Sequence, residues 1–383
     1  MKHVVVGDCN SIYVKQYIES VYENKDNVIL IVENPLTQSY GDYYRSNGVH
    51  LEPFFSENSL LKRIPVLRSI LGSRLWVRRI IKKYGSIDTV HIHSLNYSHS
   101  AIAKAFKAKT NRLVITIWGD ELLRWPKKKS IHLKPFYALA DIITLSTPIM
   151  NTRFKELYGE ILANKLSMCG FGLGILDEII DVSSKYNRAE ICEHLGFLCA
   201  NKINVYIGHN GREAQRHEEL TKLMIQLPQE VKERINLVYT MTYGVPSTQY
   251  LTNLKEMAYQ TGCTISFIEG YKTEEEVAMI RLACDIMVHA QLTDAASASI
   301  RECMFAGAIV LNGAWLPYND IPNYKERIFE YEKVEDLPKI VSNIVCNYDE
   351  YKLKYESNRY NWSGLWSLKT AAIEWRKALG IAE

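Results

Sequence analysis

The stretch Asp285 to Gly307, DIMVHAQLTDAASASIRECMFAG, decides the fold of this chain. Within it, Ile286 to Ala290 is an apolar run of strand length, Gln291 to Asp294 is a polar loop, and Ala295 to Ser299 is a run of small residues. That last run opens a helix whose Ile300, Met304 and Phe305 fall at core spacing. Strand, loop and helix N-terminus in this order make an anion site, because unbonded backbone N–H groups and the positive end of the helix dipole converge there. Asp294 and Glu302 bracket the site with seven residues between them, just over two helical turns, so a helix starting near Ala296 sets both acids on one side of a crevice. Carboxylates repel phosphate. They accept hydrogen bonds from hydroxyl groups, which points to a sugar or ribose joined to the bound phosphate. Spacing alone would fit a solvated helix face equally well.

The same strand-then-helix pattern runs through the chain. Apolar, β-branched runs occur at His3–Gly7, Val28–Val32, Thr89–His93, Leu113–Trp118, Ile142–Ser146 and Leu166–Gly170. A second series follows at Ile203–Gly208, Asn236–Met241, Thr264–Ile268, Ile286–Ala290, Ala308–Asn312 and Ile328–Tyr331. Near-continuous apolar strands alternating with helices predict an α/β protein with parallel sheets covered on both faces. Two such series predict two Rossmann-like domains facing a central cleft, with ligands at the C-terminal ends of the strands. Gly170, Gly172 and Gly174 mark the joint, giving domains at 1–172 and 173–357. Residues 358–383, with Trp366, Ala371 and Trp375 on an amphipathic pattern, form a helical tail.

Length and composition bound the rest. At 383 residues, 47% hydrophobic and 23% charged, the chain reads as a globular enzyme of two to three domains. No run of eighteen apolar residues occurs, and MKHVVVGDCN opens as a strand and turn, so a cytoplasmic protein is expected. The eight cysteines show no CxxC pair and no metal-ligand spacing, which fits reduced thiols and no metal. Residues 60–85 stand apart: Lys62, Arg63, Arg68, Arg74, Arg78, Arg79, Lys82 and Lys83 are unopposed by any acid, although the whole chain is only +3. From Arg74 onward this is a basic amphipathic helix, suited to the inner face of a membrane or to a lipid-linked acceptor, or else a core-packed helix with a solvated basic face. No recognised nucleic-acid module accompanies it, so no nucleic-acid partner is expected.

Three further loops follow strands. VYIGHNGREAQRHEEL, Val205 to Leu220, carries Gly208, Asn210, Arg212, Arg216 and His217 into the start of a helix, a phosphate-cradling geometry with cations beside it. ITIWGDELLRW, Ile115 to Trp125, places Asp120 after a strand, either as a base toward an acceptor hydroxyl or as a helix N-cap. VHIHS, Val90 to Ser94, brings His93 to a strand end, for acceptor binding, proton handling or plain capping.

Asp294-x7-Glu302 resembles the E-x7-E element of family 4 glycosyltransferases of the GT-B fold, with Asp where that family usually has Glu. The order of elements from Val205 to Gly307 is similar as well. The resemblance implies a metal-independent transferase with no cofactor, its donor a nucleotide-diphospho-sugar and its acceptor a lipid-linked or oligosaccharide chain in bacterial surface polysaccharide synthesis. It implies Asp294 at the donor sugar and Glu302 at the ribose. Arg212, with Arg216 or His217 and the Ser297 to Ser299 amides, would then hold the diphosphate, and FIEGYKTEEEV would present Tyr271 to the base. It also implies that the tail braces the first domain. The W-G-D-E segment and the His at 217 are similar to the N-acetylfucosaminyl transferases of enterobacterial common antigen synthesis. Family 4 retains configuration and needs no base; the second family inverts, and then Asp120 or His93 would matter. A nucleotide-sugar 2-epimerase and a non-catalytic scaffold of a polysaccharide pathway are the other readings of the same fold.

Overall fold

The computed structural model describes residues 1–54, 72–197, 201–316, 318–319, 321, 323–361 and 363–381. The chain divides into two compact units, Met1–Gly172 with Trp366–Glu383, and Leu173–Leu365. Residues 358–365 thus stay with the second unit, and the return to the first begins at Trp366.

The first unit holds seven parallel strands: β1 (His3–Val6), β2 (Val28–Val32), β3 (His50–Pro53), β4 (Ile87–His93), β5 (Thr110–Thr116), β6 (Ile142–Leu145) and β7 (Leu166–Met168). Their order is β3-β2-β1-β4-β5-β6-β7. The second holds six: β8 (Ile203–Ile207), β9 (Ile235–Met241), β10 (Thr264–Glu269), β11 (Ile286–His289), β12 (Ile309–Gly313) and β13 (Phe329–Tyr331), in the order β10-β9-β8-β11-β12-β13. Both are doubly wound sheets whose order reverses beside the first strand, between β1 and β4 and between β8 and β11. The central strands are buried on both faces because each residue is apolar or bonded within the sheet.

Every apolar run of the sequence reading forms a strand. β3 was not among them, and its sequence explains why: HLEP has no apolar run, it ends in a proline that only an edge strand tolerates, and its buried Glu52 is neutralised by Lys83 and bonded by Tyr84. Helix starts are set locally by side chains that accept from the first free amides, as Ser11 does from Tyr13, Asn96 from His99 and Ser247 from Tyr250. Asn187 with Glu190 and Thr273 with Glu276 form full capping boxes.

The tail helix Leu368–Leu379 lies on the helix Ile12–Val21 of the first unit. Trp375, 2% exposed, packs on Tyr17, His91 and Phe171 at ring separations of 5.4, 5.3 and 5.6 Å and donates its indole N–H to the Gly170 carbonyl at 3.0 Å. Arg376 donates to the Val21 carbonyl at 3.0 Å. Trp375→Ala is therefore expected to destabilise the first unit by about 3–5 kcal/mol; urea denaturation of the full chain checks this, and an unshifted midpoint would show that the tail helix does not support the unit.

Candidate functional site

Because β8 and β11 are hydrogen-bonded neighbours, with Ile286 beside Val205, the loops leaving their C-terminal ends meet. Gly208 ends β8 in the left-handed region at φ +73°, and a Cβ there would press on Gln215 and His217, so only glycine lets the chain turn into the loop. Asn210 then accepts from the Arg212 amide at 3.0 Å and donates to the Tyr243 hydroxyl at 3.3 Å. Arg212 lies exposed over the Tyr243 ring at 6.0 Å and pairs with no carboxylate among the described residues. On the other side, His209 Nε2 meets Ser297 Oγ at 3.1 Å and ties the two loops together. Arg212, Arg281, His217 and His289 all act electrostatically on His209, whose ring burial drives it well below the ordinary histidine range, to the neutral form.

The two acids of the organising stretch are held differently. Glu302, on the helix Ala298–Phe305, accepts from Arg281 Nε at 2.8 Å, and Arg281 also donates to Ser299 Oγ at 3.0 Å. Burial opposes the Arg281 charge, but Glu302 more than offsets it, so the guanidinium stays above its ordinary value. Arg281 was missed in the sequence reading, since it ends a separate helix, Glu274–Leu282, and nothing local marks it as part of the site. Asp294 is 7% exposed. Its oxygens accept from the Tyr318 hydroxyl, from the Ala295 amide at 2.8 Å and from the Ser297 amide at 3.1 Å, with His289 Nε2 at 3.4 Å. The expected open acceptor is thus turned inward and occupied, and it fixes the loop in which Ala296 adopts φ +64°. The Ser297 amide, expected to face a phosphate, is spent on Asp294 and Tyr318. The amides of Ala298 and Ser299 make no hydrogen bond among the described residues.

The other predicted donor-side residues divide. Arg216, in the left-handed region at φ +59°, pairs with Glu219 at 2.6 Å and donates to the Ala290 carbonyl at 3.3 Å. His217 is fully buried against Tyr250, and that burial lowers it to about 4. It is neutral at physiological pH, so the positive charge expected there falls instead to Arg212 and Arg281. Tyr271 is 87% exposed and stacks on nothing among the described residues.

In the first unit, β1 and β4 form the corresponding switch point, and a Cβ on Gly7 would lie 3.1 Å from that of His93. His93 is 1% exposed, among Tyr17, Trp118, Phe171 and Trp375, and neither ring nitrogen has a partner among the described residues. Burial first, and the nearby His99 second, lower it to about 3, so the expected proton-handling group is an enclosed neutral ring. Asp120 is the first residue of the helix Asp120–Leu123, exposed and paired with Arg124 at 2.8 Å. Its neighbour Glu121 is the buried acid: it accepts from the Gly119 amide at 3.0 Å, and burial raises its pKa. The enclosed acid of this segment is thus Glu121, which follows Gly119 at φ +121°, whereas Asp120 stays at the surface. Glu33 and His99 form a further pair at 2.7 Å. Of the basic segment 60–85, residues 60–71 lie outside the described residues. The helix Ser73–Tyr84 turns Trp76, Val77 and Ile80 into the core and leaves Arg74, Arg78, Arg79 and Lys82 exposed. No described helix is long and apolar enough to cross a membrane.

Comparison with known proteins agrees with this architecture. The HepE protein of Anabaena, solved with UDP and glucose, superposes at a TM-score of 0.76 with 14% identity over 100% of both chains. A glycosyltransferase of Rickettsia africae gives 0.75 with 15% identity over 100% of this chain and 99% of its own, and sucrose-phosphate synthase of Thermosynechococcus elongatus gives 0.72 with 12% identity over 100% of both. The fold is GT-B, with two Rossmann-like domains. Residues 4–146 match the family model described as Glycosyl transferase 4-like. No curated protein matches the chain.

The buried histidines give the protein an acid limit. Between about pH 6.5 and 3 the unfolded chain protonates residue 93 while the folded chain does not, so stability is intact above 6.5 and falls as pH drops. In His93→Phe the slope of unfolding free energy against pH is expected to lessen by up to one proton, about 1.4 kcal/mol per pH unit. Urea unfolding at pH 7, 6 and 5 measures it, and identical slopes for variant and wild type would refute the assignment.

Proposed function

We propose that the chain transfers a sugar from a nucleotide-diphospho-sugar to a saccharide acceptor. The observation that carries this reading is the crevice between the loops after β8 and β11, lined by Arg212, the buried Arg281 and the amides of Ala298 and Ser299, where among the described residues Arg212 has no carboxylate partner and the two amides make no hydrogen bond. When the sugar–phosphate bond breaks, negative charge grows on the leaving diphosphate, and fixed cations and amide dipoles lower the barrier without reorganising. Here they take the place of a metal cation. Arg281 orients Glu302 as an acceptor for ribose hydroxyls. Asp294 acts through the loop it holds rather than by touching the sugar. The UDP and glucose in the Anabaena structure, a fold relative, support the same donor class.

The acceptor in this reading is lipid-linked, as in surface polysaccharide synthesis, and the exposed cations of Ser73–Tyr84 rest on an anionic membrane surface. With its apolar side already in the core, that helix adsorbs by charge alone, at about 1 kcal/mol per cation. Flotation with vesicles containing phosphatidylglycerol should carry the wild type upward and leave Arg74→Gln/Arg78→Gln/Lys82→Gln behind; co-flotation of that variant would remove the membrane role.

Calorimetric titration with UDP, GDP, dTDP and CMP tests the central reading. One nucleoside diphosphate is expected to bind, about tenfold or more weakly in Arg212→Ala, since a charge-assisted contact to phosphate is lost. Absence of binding by all four, or donor converted to an epimer without any acceptor, would overturn it.

A further inference from the structure

The second unit has a concavity of about 810 Å³ at the opposite end of its strands from the crevice above. It is lined where β8, β9 and β11 begin, by Lys202, Arg234 and Asp285, while Gly208 and Ala290 follow the far ends of β8 and β11. The five-residue span of β8 separates the two by roughly 17 Å of strand rise. The size is that of a small-molecule site, in which about 300–1,000 Å³ is usual.

Its charge is unbalanced. Arg188, Lys202, Arg234, Lys352 and Arg359 line it, against Glu233 and Asp285. Asp285 has nothing left to offer, for it accepts from both terminal nitrogens of Arg188, from the Asn204 amide at 2.8 Å and from the Tyr348 hydroxyl at 2.7 Å. Glu233 accepts from Gln229 at 2.9 Å. Lys202 and Lys352 reach only neutral oxygens, Thr264 Oγ1 at 2.7 Å and the Gly307 carbonyl at 3.1 Å, and Arg234 makes no side-chain bond among the described residues. Lys352 at Gly307 complements the carbonyl end of a helix, which accounts for one cation. It does not account for Lys202, Arg234 and Lys352 together around one concavity without a carboxylate partner. Like charges held around a concave surface repel one another, and an anion of two or more charges lying between them offsets that repulsion.

We infer that this concavity binds a small molecule carrying two or more phosphate charges, at a site separate from the donor crevice. Arg188, locked on Asp285, is the fixed wall. Lys202, Arg234 and Lys352 are the movable point charges that close on the phosphates. Inorganic pyrophosphate and an organic bisphosphate share this chemistry.

Calorimetry on the full chain at low salt distinguishes them, with pyrophosphate and glucose 1,6-bisphosphate as probes. Wild type and Arg212→Ala are expected to bind alike, because the donor crevice is not involved. Lys202→Gln/Arg234→Gln/Lys352→Gln should bind about tenfold or more weakly, with its titration by the donor-crevice nucleoside diphosphate unchanged. Tighter binding of the bisphosphate assigns the site to an organic ligand, and tighter binding of pyrophosphate to the inorganic one. Arg234→Gln alone, which breaks no bond among the described residues, guards against misfolding of the triple variant and should weaken binding in the same direction. The inference fails if neither probe binds wild type, if both Gln variants bind as well as wild type, or if Arg212→Ala abolishes the signal. The last result would place the phosphates in the donor crevice and leave the glycosyl-transfer reading standing.

Discussion

The parallel pairing of β11 with β8 is the constraint on which the rest of the second unit depends. It sets Ile286 beside Val205 and Val288 beside Ile207, so the loops beginning at Gly208 and Gln291 leave the sheet side by side, although about eighty residues separate them in sequence. Chain order reverses at that seam, and it is at such a reversal that the loops of a doubly wound sheet part and leave a crevice. The first unit repeats the plan at β1 and β4, where it brings Gly7 against His93.

Around the second seam, both acids of the organising stretch are buried with a counterpart. Glu302 has Arg281, and Asp294 has Tyr318 with two backbone amides, so neither acid stands as an isolated buried charge. The consequence is that Asp294 shapes a loop containing a strained Ala296, while Arg281 ties Glu302 to Ser299 in the first turn of the same helix. At the other end of the strands Asp285 is committed to Arg188, Asn204 and Tyr348, and Lys202 and Lys352 bond neutral oxygens.

The histidines show how burial alone alters chemistry. His93 and His217 sit where a sequence suggests proton transfer or positive charge, yet each, like His209, is lowered chiefly by burial and is neutral. Arginine, by contrast, keeps its charge when enclosed, as Arg281 does beside Glu302.

The sequence by itself determined the two series of parallel strands, the joint near Gly172, and the strand-loop-helix units around Gly208 and Asp294, because apolar periodicity and glycine are local signals. It did not show β3, whose stability comes from its neighbour β2 and from Glu52 bonded to Lys83 and Tyr84, thirty residues away. Nor did it show Arg281, or that Glu121 rather than Asp120 is enclosed. Those depend on which way a side chain points once distant helices pack, and in a doubly wound sheet that is fixed by contacts between residues far apart in the chain, which only the tertiary structure decides.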